Sequence, residues 1–401
     1  MSQADVEPRP TAGGRPRMLV AAFFPRTVTL EGVGTFIRGI AAEMLRRGWD
    51  VHVLTPTGKP LVGSPVVSLF YDSGLKGIFN YRKALKAASK DADAVLLVES
   101  NPVMGFTARW SAKPAATLTY FLTPLATPAD LRRAGLTRQA IKHGIGKSRL
   151  LARPQSWRDR RFAAATEYQA KQIRSLGASN ITVLPGAGFT SSRAVPTREE
   201  ARRELGWDDK PVYGYLGHYS PAKGVGVLVD AADHLADTGA VLGLAYSGKG
   251  KLSADHDAKR KALIASGRAR ELGVVDPLVF LAACDVTVLP YVSPSIYHLP
   301  QVMLESFAAS TPVVTTDVGG MGELIRPNIT GLLAPPGDAP ALAVAIRQML
   351  ADGSKRHESG RVCRDIFERE LAVNVFCDRV LAMLAPGVRP PASTATEGAA
   401  Q

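Results

Sequence analysis

The sequence is poor in cysteine and has no long apolar run. Only 3 of its 401 residues are cysteine, an odd number that argues against a disulfide framework and favours a reducing compartment. No apolar run reaches the roughly 18 residues that a membrane-spanning helix needs. Residues 1–17 are polar and contain several prolines, so we expect no signal peptide. These features predict a cytoplasmic protein in which Cys284, Cys363 and Cys377 are reduced core thiols.

Patterns that indicate a metal centre or a dinucleotide site are also missing. The seven histidines and three cysteines form no ligand spacing, so we expect no metal. Asp91 and Asp93 have the Asp-x-Asp form of a divalent-ion site, but they precede a strand and therefore lie at the wrong edge of a sheet for a ligand crevice. We interpret them as a solvated turn. Gly32, Gly34 and Gly39 follow an insert rather than a strand end, which argues against a nicotinamide-dependent dehydrogenase.

The charge is strongly basic, and much of it is concentrated in one segment. The chain has 49 Lys and Arg against 36 Asp and Glu, a net charge of +13. Residues 132–161 hold ten basic side chains and one acidic one, with leucine and isoleucine interleaved. This segment is expected either to lie on anionic lipid or to be a solvated basic face. No aromatic stacking platform accompanies it, so we do not expect nucleic acid as a partner.

Strands and helices alternate along the chain, and the alternation starts again from Val212. Apolar runs at 18–24 and 51–54 predict buried parallel strands, and the periodicity between them predicts a helix over 35–47 that Gly48 closes. Such alternation predicts a doubly wound α/β fold, and 401 residues suit two domains of similar size. The predicted parts are a disordered tail (1–16), a first Rossmann-like domain (17–185), a linker (186–197), a second Rossmann-like domain (198–370), a last helix (371–386) and a second disordered tail (387–401).

One turn in the second half combines glycines with a lysine. A strand predicted at 212–216 runs into Gly217-His218, and Lys223-Gly224 then opens a helix. A strand, a glycine turn, a lysine and a helix offer amides and a cation to phosphate oxygens at the carboxyl edge of a parallel sheet. The alternative is a solvated surface lysine.

A second predicted helix, which begins near Pro300, carries the carboxylate of Glu305. Pro300 suits the first turn of a helix, which leaves the amides of Gln301, Val302 and Met303 pointing out of a positive helix end. Glu305 lies one turn further in, where an ionised carboxylate can accept two hydrogen bonds from ribose hydroxyls. The alternative for Glu305 is a solvated acid on an amphipathic helix.

These motifs resemble the donor-site signature of the retaining family 4 glycosyltransferases. Glu305 matches the glutamate of that signature, the run from Thr311 to Val314 matches its Gly-x-Pro-Val-Val, and the segment from Gly319 to Glu323 matches its Gly-Gly-x-x-Glu. The resemblance extends over about residues 17–385. It implies the GT-B fold, in which two Rossmann-like domains face each other across a cleft and the last helix crosses back to the first domain.

The resemblance also implies roles for single residues. Lys223 and His218 are expected to act on the donor diphosphate as catalytic groups, and Tyr120 is expected on the acceptor side. The family has arginine where this chain has His218, glutamate where it has Tyr297, and histidine where a loose alignment puts Tyr120. The expected donor contacts are Gly32, Gly34, Gly217, Tyr297, Leu299, Val302, Met303 and Glu305.

The function that the resemblance implies is sugar transfer. A nucleoside diphosphate sugar, with uridine or guanosine as its base, would donate to an acceptor hydroxyl with retention of anomeric configuration, in the biosynthesis of a glycan, glycolipid or glycosylated metabolite. No cofactor is expected, and the basic segment would bring the enzyme to the inner face of the cell membrane and a lipid-linked acceptor. The alternatives are a catalytically impaired GT-B partner protein and a sugar-nucleotide epimerase, for which the chain lacks acidic and histidine groups at the anomeric centre.

Overall fold

The computed structural model describes residues 15–23, 31–56, 62–63, 65–71, 77–99, 111–122, 160–175, 177–188, 194–293 and 299–384. Two parallel sheets follow one another along the chain, and each is covered by helices on both faces. The fold class predicted from the alternation of strands and helices is therefore confirmed.

The first sheet has seven parallel strands in the order β3-β2-β1-β4-β5-β6-β7. The residues of its central strands are buried on both faces, which is why those strands read as continuous apolar runs. The strands are β1 (Arg17–Phe23), β2 (Asp50–Pro56), β3 (Val67–Tyr71), β4 (Ala94–Glu99), β5 (Thr117–Phe121), β6 (Arg161–Ala164) and β7 (Ile181–Val183). The described helices are α1 (Glu31–Arg46), α2 (Gly77–Ala88) and α3 (Glu167–Arg174).

The second sheet has six parallel strands in the order β10-β9-β8-β11-β12-β13. The strands are β8 (Val212–Tyr219), β9 (Val241–Gly250), β10 (Ala269–Glu271), β11 (Val286–Leu289), β12 (Val313–Thr316) and β13 (Gly331–Ala334). The helices are α4 (Arg198–Leu205), α5 (Val225–Ala231), α6 (Ala254–Ala265), α7 (Pro277–Ala283), α8 (Gln301–Ala308), α9 (Ala339–Ala351) and α10 (Gly353–Ile366).

Both sheets reverse their strand order at a central strand. In the first sheet β1 lies between β2 and β4, and in the second β8 lies between β9 and β11. The loops that leave the two central strands of such a reversal turn to opposite faces, which opens a crevice outside their carboxyl ends where ligands bind. In the second domain this crevice lies between the segments that follow β8 and β11.

The last helix, α11 (Val373–Leu384), packs on the first domain rather than the second. A π-helical turn at Phe367–Leu371 leads into it. The ring of Phe376 lies 5.3 Å from that of Phe36 and 5.1 Å from that of Tyr120, both in edge contacts. Arg47 at the end of α1 forms an ion pair with Asp378. The chain thus crosses back and adds a helix to the first core.

The first helix begins earlier than the sequence predicts. It runs from Glu31 to Arg46 instead of over 35–47, so Gly32 and Gly34 lie in its first turn and not in a preceding loop. Val33 is 3% exposed, and burying this side chain favours the extra turn despite the flanking glycines. Gly48 follows with a φ of 80°, the left-handed closure that the sequence predicts.

Two sequence predictions concern membranes. Residues 132–159 of the basic segment lie outside the described residues, so its contact with lipid stays a prediction. Within the part of the chain that the structure describes, the helices are too short or too polar to cross a bilayer.

Candidate functional site

The lysine turn lies at the carboxyl end of β8, beside the strand-order reversal. Strand β8 ends at Tyr219, a short 3-10 turn covers Pro221–Lys223, and Gly224 adopts a φ of 67° before α5 begins. A Cβ on Gly224 would lie 1.8 Å from the carbonyl oxygen of Pro290, so only glycine lets the turn lie against the end of β11. The amide of Val292 also donates to the carbonyl of Ala222 at 3.0 Å. These contacts hold the turn against the segment that leads towards α8.

The position of the Lys223 ammonium depends on a second glycine. A Cβ on Gly217, whose φ is 146°, would lie 3.2 Å from Lys223 Nζ. The ammonium also lies 5.9 Å from the ring centroid of Tyr291, a buried residue just after β11. Lys223 itself is half-buried. The structure therefore places a cation between the carboxyl ends of β8 and β11, where a diphosphate binds in folds of this kind.

Helix α8 opens from the neighbouring segment with its first amides uncapped. Pro300 is the N-cap residue, one position earlier than the predicted first helical turn, and no side chain caps the helix. The amide of Met303 donates to the carbonyl of Pro300 at 2.9 Å, so the prediction that Met303 offers its amide to a ligand is wrong in this conformation. The amides of Gln301 and Val302 precede the first intrahelical bond, and they are the ones that the positive helix end can offer to an anion.

The start of α8 also contacts the segment that joins the two domains. Leu299 packs against the apolar cores of both domains. Gln301 Nε2 donates to the carbonyl of Ala187 at 3.1 Å. A Cβ on Gly188 would lie 3.1 Å from the Cβ of Leu304. The predicted donor residue Leu299 is thus a structural contact between domains at the edge of the crevice.

Glu305 is a half-buried carboxyl group on α8 that accepts no hydrogen bond from a described residue. Burial raises its pKa to about 7, and the negative charge of Asp276 adds to this effect. Asp276 is itself the N-cap of α7 and accepts from the amides of Leu278 and Val279. A buried carboxylate without donors is costly, and two hydroxyl groups of a ligand would supply the donors that it lacks.

His218 lies where the pairing of β8 with β9 becomes irregular. Gly217 pairs with Tyr246 and Tyr219 with Gly250, so the register shifts at His218. Its carbonyl accepts from the hydroxyl of Tyr215 at 2.7 Å, which fixes the backbone here. Irregular pairing of this kind is frequent beside active sites, where it directs a side chain away from the sheet. His218 is half-buried at the same sheet edge as Lys223.

Tyr120 does not lie on an accessible wall of the cleft, so its prediction as an acceptor contact is wrong in this structure. It is fully buried in β5, its ring is stacked on Phe36 at 5.3 Å, and its hydroxyl has no hydrogen-bond partner. Burial raises the pKa of this phenol far above its usual value. A Cβ on Gly186 would lie 3.5 Å from the hydroxyl oxygen, so the backbone between the domains covers it. All five residues of β5 are buried, because α11 covers the face that carries Tyr120, and the opposite face carries Phe121, which packs with Phe162 and residues of α3.

Glu323, the last residue of the Gly-Gly-x-x-Glu motif, contacts the first domain. Its two carboxylate oxygens accept from the backbone amides of Glu167 and Tyr168, each at 2.7 Å. A Cβ on Gly320 would lie 2.7 Å from the hydroxyl oxygen of Thr166, so the glycine allows this close approach. The sequence shows the motif, but it does not show this contact, because two segments more than 150 residues apart leave no local signal of their pairing.

The remaining residues that the sequence singles out lie in the first domain or outside the described residues. Tyr297 lies in the segment 294–298, outside the described residues. Gly32 and Gly34 lie at the start of α1, and their approach to a donor stays a prediction. Asp93 accepts from the amide of Arg17 at 2.7 Å, at the amino edge of the first sheet. Among the residues with described positions, His, Cys, Asp and Glu form no group of three that could hold a metal ion.

A cavity of about 920 Å³ lies at the opposite, amino edge of the second sheet. Its arginines are engaged in structural contacts. Arg356 donates to the carbonyl of Leu350 at the end of α9, and Arg364 donates to that of Ala308 at the end of α8. Buried Asp285 accepts from Arg198 and Arg356. These cations neutralise the negative ends of helices, which accounts for them without a ligand.

The comparison with known families covers the second domain. Residues 197–363 match the family described as glycosyl transferases group 1. This match contains the Lys223 turn, the start of α8 and Glu305. The chain spans about half the length of several curated relatives that it matches. A D-inositol 3-phosphate glycosyltransferase of Rhodococcus opacus is 28% identical over 368 residues, which cover 82% of this chain and 80% of that protein.

Solved structures with the same fold superpose on most of the chain. Sucrose-phosphate synthase from Thermosynechococcus elongatus superposes with a TM-score of 0.70 at 19% identity, covering 91% of this chain and 97% of the other. Alr3699/HepE of Anabaena, in complex with UDP and glucose, has a TM-score of 0.65 at 18% identity, covering 93% and 100%. The fold is GT-B.

Proposed function

We propose that this GT-B protein is a glycosyltransferase that moves a sugar from a nucleoside diphosphate sugar to an acceptor hydroxyl. The observation that carries the proposal is the meeting of Lys223 and the segment before the uncapped end of α8 at the strand-order reversal of the second sheet. This site lies inside the stretch that matches the group 1 glycosyl transferases. The Anabaena neighbour, whose structure contains UDP and glucose, supports a uridine donor, and guanosine is the alternative base.

The proposed chemistry consists of stabilising a leaving diphosphate. As the bond between the anomeric carbon and the diphosphate breaks, negative charge grows on the phosphate oxygens. Lys223, a protonated His218 and the amides of Gln301 and Val302 would stabilise that charge, which is the transition-state interaction that accelerates the step. The acceptor oxygen would bond to the same face of the anomeric carbon, with retention, and its proton would pass to the departing diphosphate.

Glu305 would bind the ribose of the donor. Its carboxylate lacks donors in the described structure, and the two ribose hydroxyls would supply them. No metal has a part in this scheme, because the lysine, the imidazolium and the helix end carry the positive charge. Turnover is therefore expected to survive chelation with EDTA.

The experiment that tests the proposal combines binding with turnover. A panel of UDP- and GDP-sugars is screened for thermal stabilisation, where a ligand at a hundred times its Kd adds about 2.7 kcal/mol. The stabilising donor is then followed for release of nucleoside diphosphate, with simple glycosides and lipid-linked sugars as acceptors. Lys223→Ala is expected to lower kcat by about 10²- to 10³-fold, the cost of one lost charge-stabilising donor. Lys355→Ala, an exposed lysine on α10, is the matched control.

The second candidate function is a GT-B binding or partner protein without turnover. The buried position of Tyr120 favours it, because one group that the resemblance puts on the acceptor side is not available there. Binding of a nucleoside diphosphate without release of sugar to any acceptor or to water would support this candidate. Hydrolysis or transfer that Lys223→Ala abolishes would exclude it.

A further inference from the structure

Helix α2 of the first domain exposes a cluster of basic side chains, and one exposed acid, Asp91, follows directly after it. Its sequence, Gly77–Ala88, contains no acidic residue. Tyr81 and Leu85 are buried against the sheet. The outward positions hold Arg82, Lys83 and Lys86, and Lys90 is exposed just beyond the helix end. Arg82 and Lys83 lie four and three residues before Lys86, and Lys90 lies four residues after it, so these cations share one side of the helix.

None of these four cations forms an ion pair with a described residue, whereas several cations of the second domain do. There, Arg260 pairs with Asp257 and Glu271, and Arg347 pairs with Asp237. Four like charges within about two turns repel one another, and no ion pair with a described residue offsets this repulsion. An anionic partner would relieve that repulsion, so the face has a clear charge preference for its ligand.

Large apolar side chains accompany the basic face. Phe79, in the first turn of α2, is 67% exposed. Val67 and Phe70 on the edge strand β3, which α2 contacts, are 41% and 39% exposed. The exposure of these three apolar side chains to water adds nothing to the stability of the folded protein. Apolar residues beside a cationic face are the arrangement of surfaces that lie at the lipid headgroup level.

The helix is oriented so that its apolar end is on the cleft side. In a parallel sheet, the helix that follows a strand runs back against it, so the start of α2 lies at the carboxyl edge of the sheet. Phe79 therefore lies at the edge that faces the second domain, and Lys90 lies at the far edge. Contact through this face would keep the entrance of the cleft next to the contacted surface.

We propose that the α2 face, defined as Phe79, Arg82, Lys83, Lys86 and Lys90, lies on an anionic lipid surface. Each basic side chain near such a surface contributes about 1 kcal/mol, and an inserted aromatic ring adds burial at the boundary of headgroups and acyl chains. Single-stranded nucleic acid is less well matched, because successive bases need a row of stacking rings and the α2 face has one. The proposal depends neither on the sugar-transfer function nor on residues 132–159.

The first test is sedimentation with vesicles of phosphatidylcholine, alone or with 30% phosphatidylglycerol. The full chain is expected to bind only the anionic vesicles and to be released by high salt. The triple variant Arg82→Ala/Lys83→Ala/Lys86→Ala is expected to bind on the order of a hundredfold more weakly, about fivefold for each charge. The control triple variant Arg203→Ala/Lys210→Ala/Lys355→Ala removes the same charge from exposed positions of the second domain, and binding is expected to change less than about threefold.

The second test reports which residue enters the lipid. The native cysteines Cys284, Cys363 and Cys377 are buried, so a polarity-sensitive dye reacts selectively with an exposed new thiol. Labelled Phe79→Cys is expected to show a blue shift with anionic vesicles. Labelled Val344→Cys, at a position of the second domain that is 63% exposed, is expected to show none.

Several outcomes would overturn the proposal. One is wild-type protein that ignores anionic vesicles at low salt, and another is a triple variant that binds them like the wild type. Binding without any change in the dye at position 79 would assign the contact to another surface, such as residues 132–159. Tight binding of a single-stranded RNA that the triple variant loses, with no vesicle binding, would make nucleic acid the partner instead.

Discussion

Gly217 shows how closely one residue controls the charge at the candidate site. Its φ of 146° is a conformation that side chains with a Cβ rarely adopt, and the ammonium of Lys223 occupies the space next to its Cα. A Cβ at position 217 would therefore press on the Lys223 ammonium and require it to shift by a few tenths of an ångström. The glycine has a function in placing the cation as well as in turning the chain.

Gly217→Ala is expected to impair the site more than the fold. The backbone strain costs about 1–3 kcal/mol, and the new methyl group displaces the Lys223 ammonium, which should weaken donor binding at least about tenfold. Gly239→Ala is the control, because its φ is 66° and nothing lies within 4 Å of the added Cβ. Calorimetric titration with the donor and urea unfolding separate the two effects. Equal donor affinities for both variants would contradict the assigned role of Gly217.

Glu305 makes donor binding dependent on pH. Its pKa is about 7 in the free protein, and ribose hydroxyls stabilise the ionised form, so bound donor lowers that pKa. Affinity for a nucleoside diphosphate sugar, whose phosphates do not titrate in this range, is expected to be about tenfold weaker at pH 6 than at pH 8. Proteins with Glu305 and with Glu305→Gln are compared in a His218→Asn background, because protonation of the imidazole favours donor binding at low pH and opposes the Glu305 effect. Glu305→Gln should then abolish the dependence, and a Kd that stays constant between pH 6 and 8 with Glu305 present would contradict the assignment.

The same carboxyl group affects stability in the absence of donor. Its pKa is raised from 4.5 to about 7 on folding, so the folded state holds the proton more tightly than the unfolded state. This contribution to the free energy of unfolding is complete below about pH 4.5 and is lost as the pH rises through 7. In Glu305→Gln this part of the free energy of unfolding should no longer fall between pH 5 and pH 8. Urea unfolding of the wild type and the variant at both pH values measures the difference.

His218 is expected to make kcat depend on pH, in the direction opposite to the effect of Glu305 on donor affinity. A diphosphate beside the imidazole favours its protonated form, so kcat at saturating donor is expected to decline on the alkaline side of neutrality. His218→Asn should lower kcat and remove the decline. A rate that does not change between pH 6 and pH 9 would exclude His218 from the reaction. Measuring kcat at saturation keeps this effect apart from the binding effect of Glu305.

At the scale of elements, the start of α3 depends on both domains. Thr166 caps the amide of Gln169 from within the first domain. The amides of Glu167 and Tyr168 donate to the carboxylate of Glu323, which approaches from the second domain. Glu323 thus acts as an N-cap supplied across the cleft, and its charge also favours the positive helix end. Opening the cleft exposes two amides at this helix start.

Glu323→Ala is expected to loosen this contact between domains. Loss of the cap should cost about 0.5–2 kcal/mol and increase hydrogen exchange at Glu167 and Tyr168. Glu323→Gln keeps one strong acceptor, so the amide hydrogens of Glu167 and Tyr168 should exchange at an intermediate rate in this variant. Glu358→Ala, which removes an exposed ion pair with Arg361, is the control and should leave that exchange unchanged. If these two amides exchange as fast in Glu323→Ala as in the wild type, the contact between Glu323 and the start of α3 does not persist in solution.

The elements that sequence could predict are those with local causes. The Lys223 turn follows from glycines and a lysine between a strand and a helix, and the structure has that turn at the expected sheet edge. The burial of Tyr120 could not be read locally, because β5 is buried on both faces and shows no alternation. The cap by Glu323 and the cover of Tyr120 by Phe376 join distant parts of the chain, and neither has a signature in the sequence around it.

At the scale of the whole molecule, α11 makes the second half of the chain part of the first core. Phe376, Val380 and Leu384 are buried among residues of the first domain. Arg161 adds a hydrogen bond to the carbonyl of Met383, and Arg47 donates to that of Asn374. The stability of the first domain therefore depends on residues that follow the second.

Phe376→Ala is expected to destabilise the protein by about 3–5 kcal/mol, because it leaves a cavity beside the stacked rings of Phe36 and Tyr120. Phe79→Ala makes the same chemical change at a position that is 67% exposed, and its cost should stay within about 0.5 kcal/mol. Urea unfolding of both variants, followed by far-ultraviolet circular dichroism, gives the comparison. Since the lost contacts are those of the first domain, protease cleavage in Phe376→Ala should begin there while the second domain stays protected. Equal stabilities of the two variants would show that the last helix is not docked on the first domain.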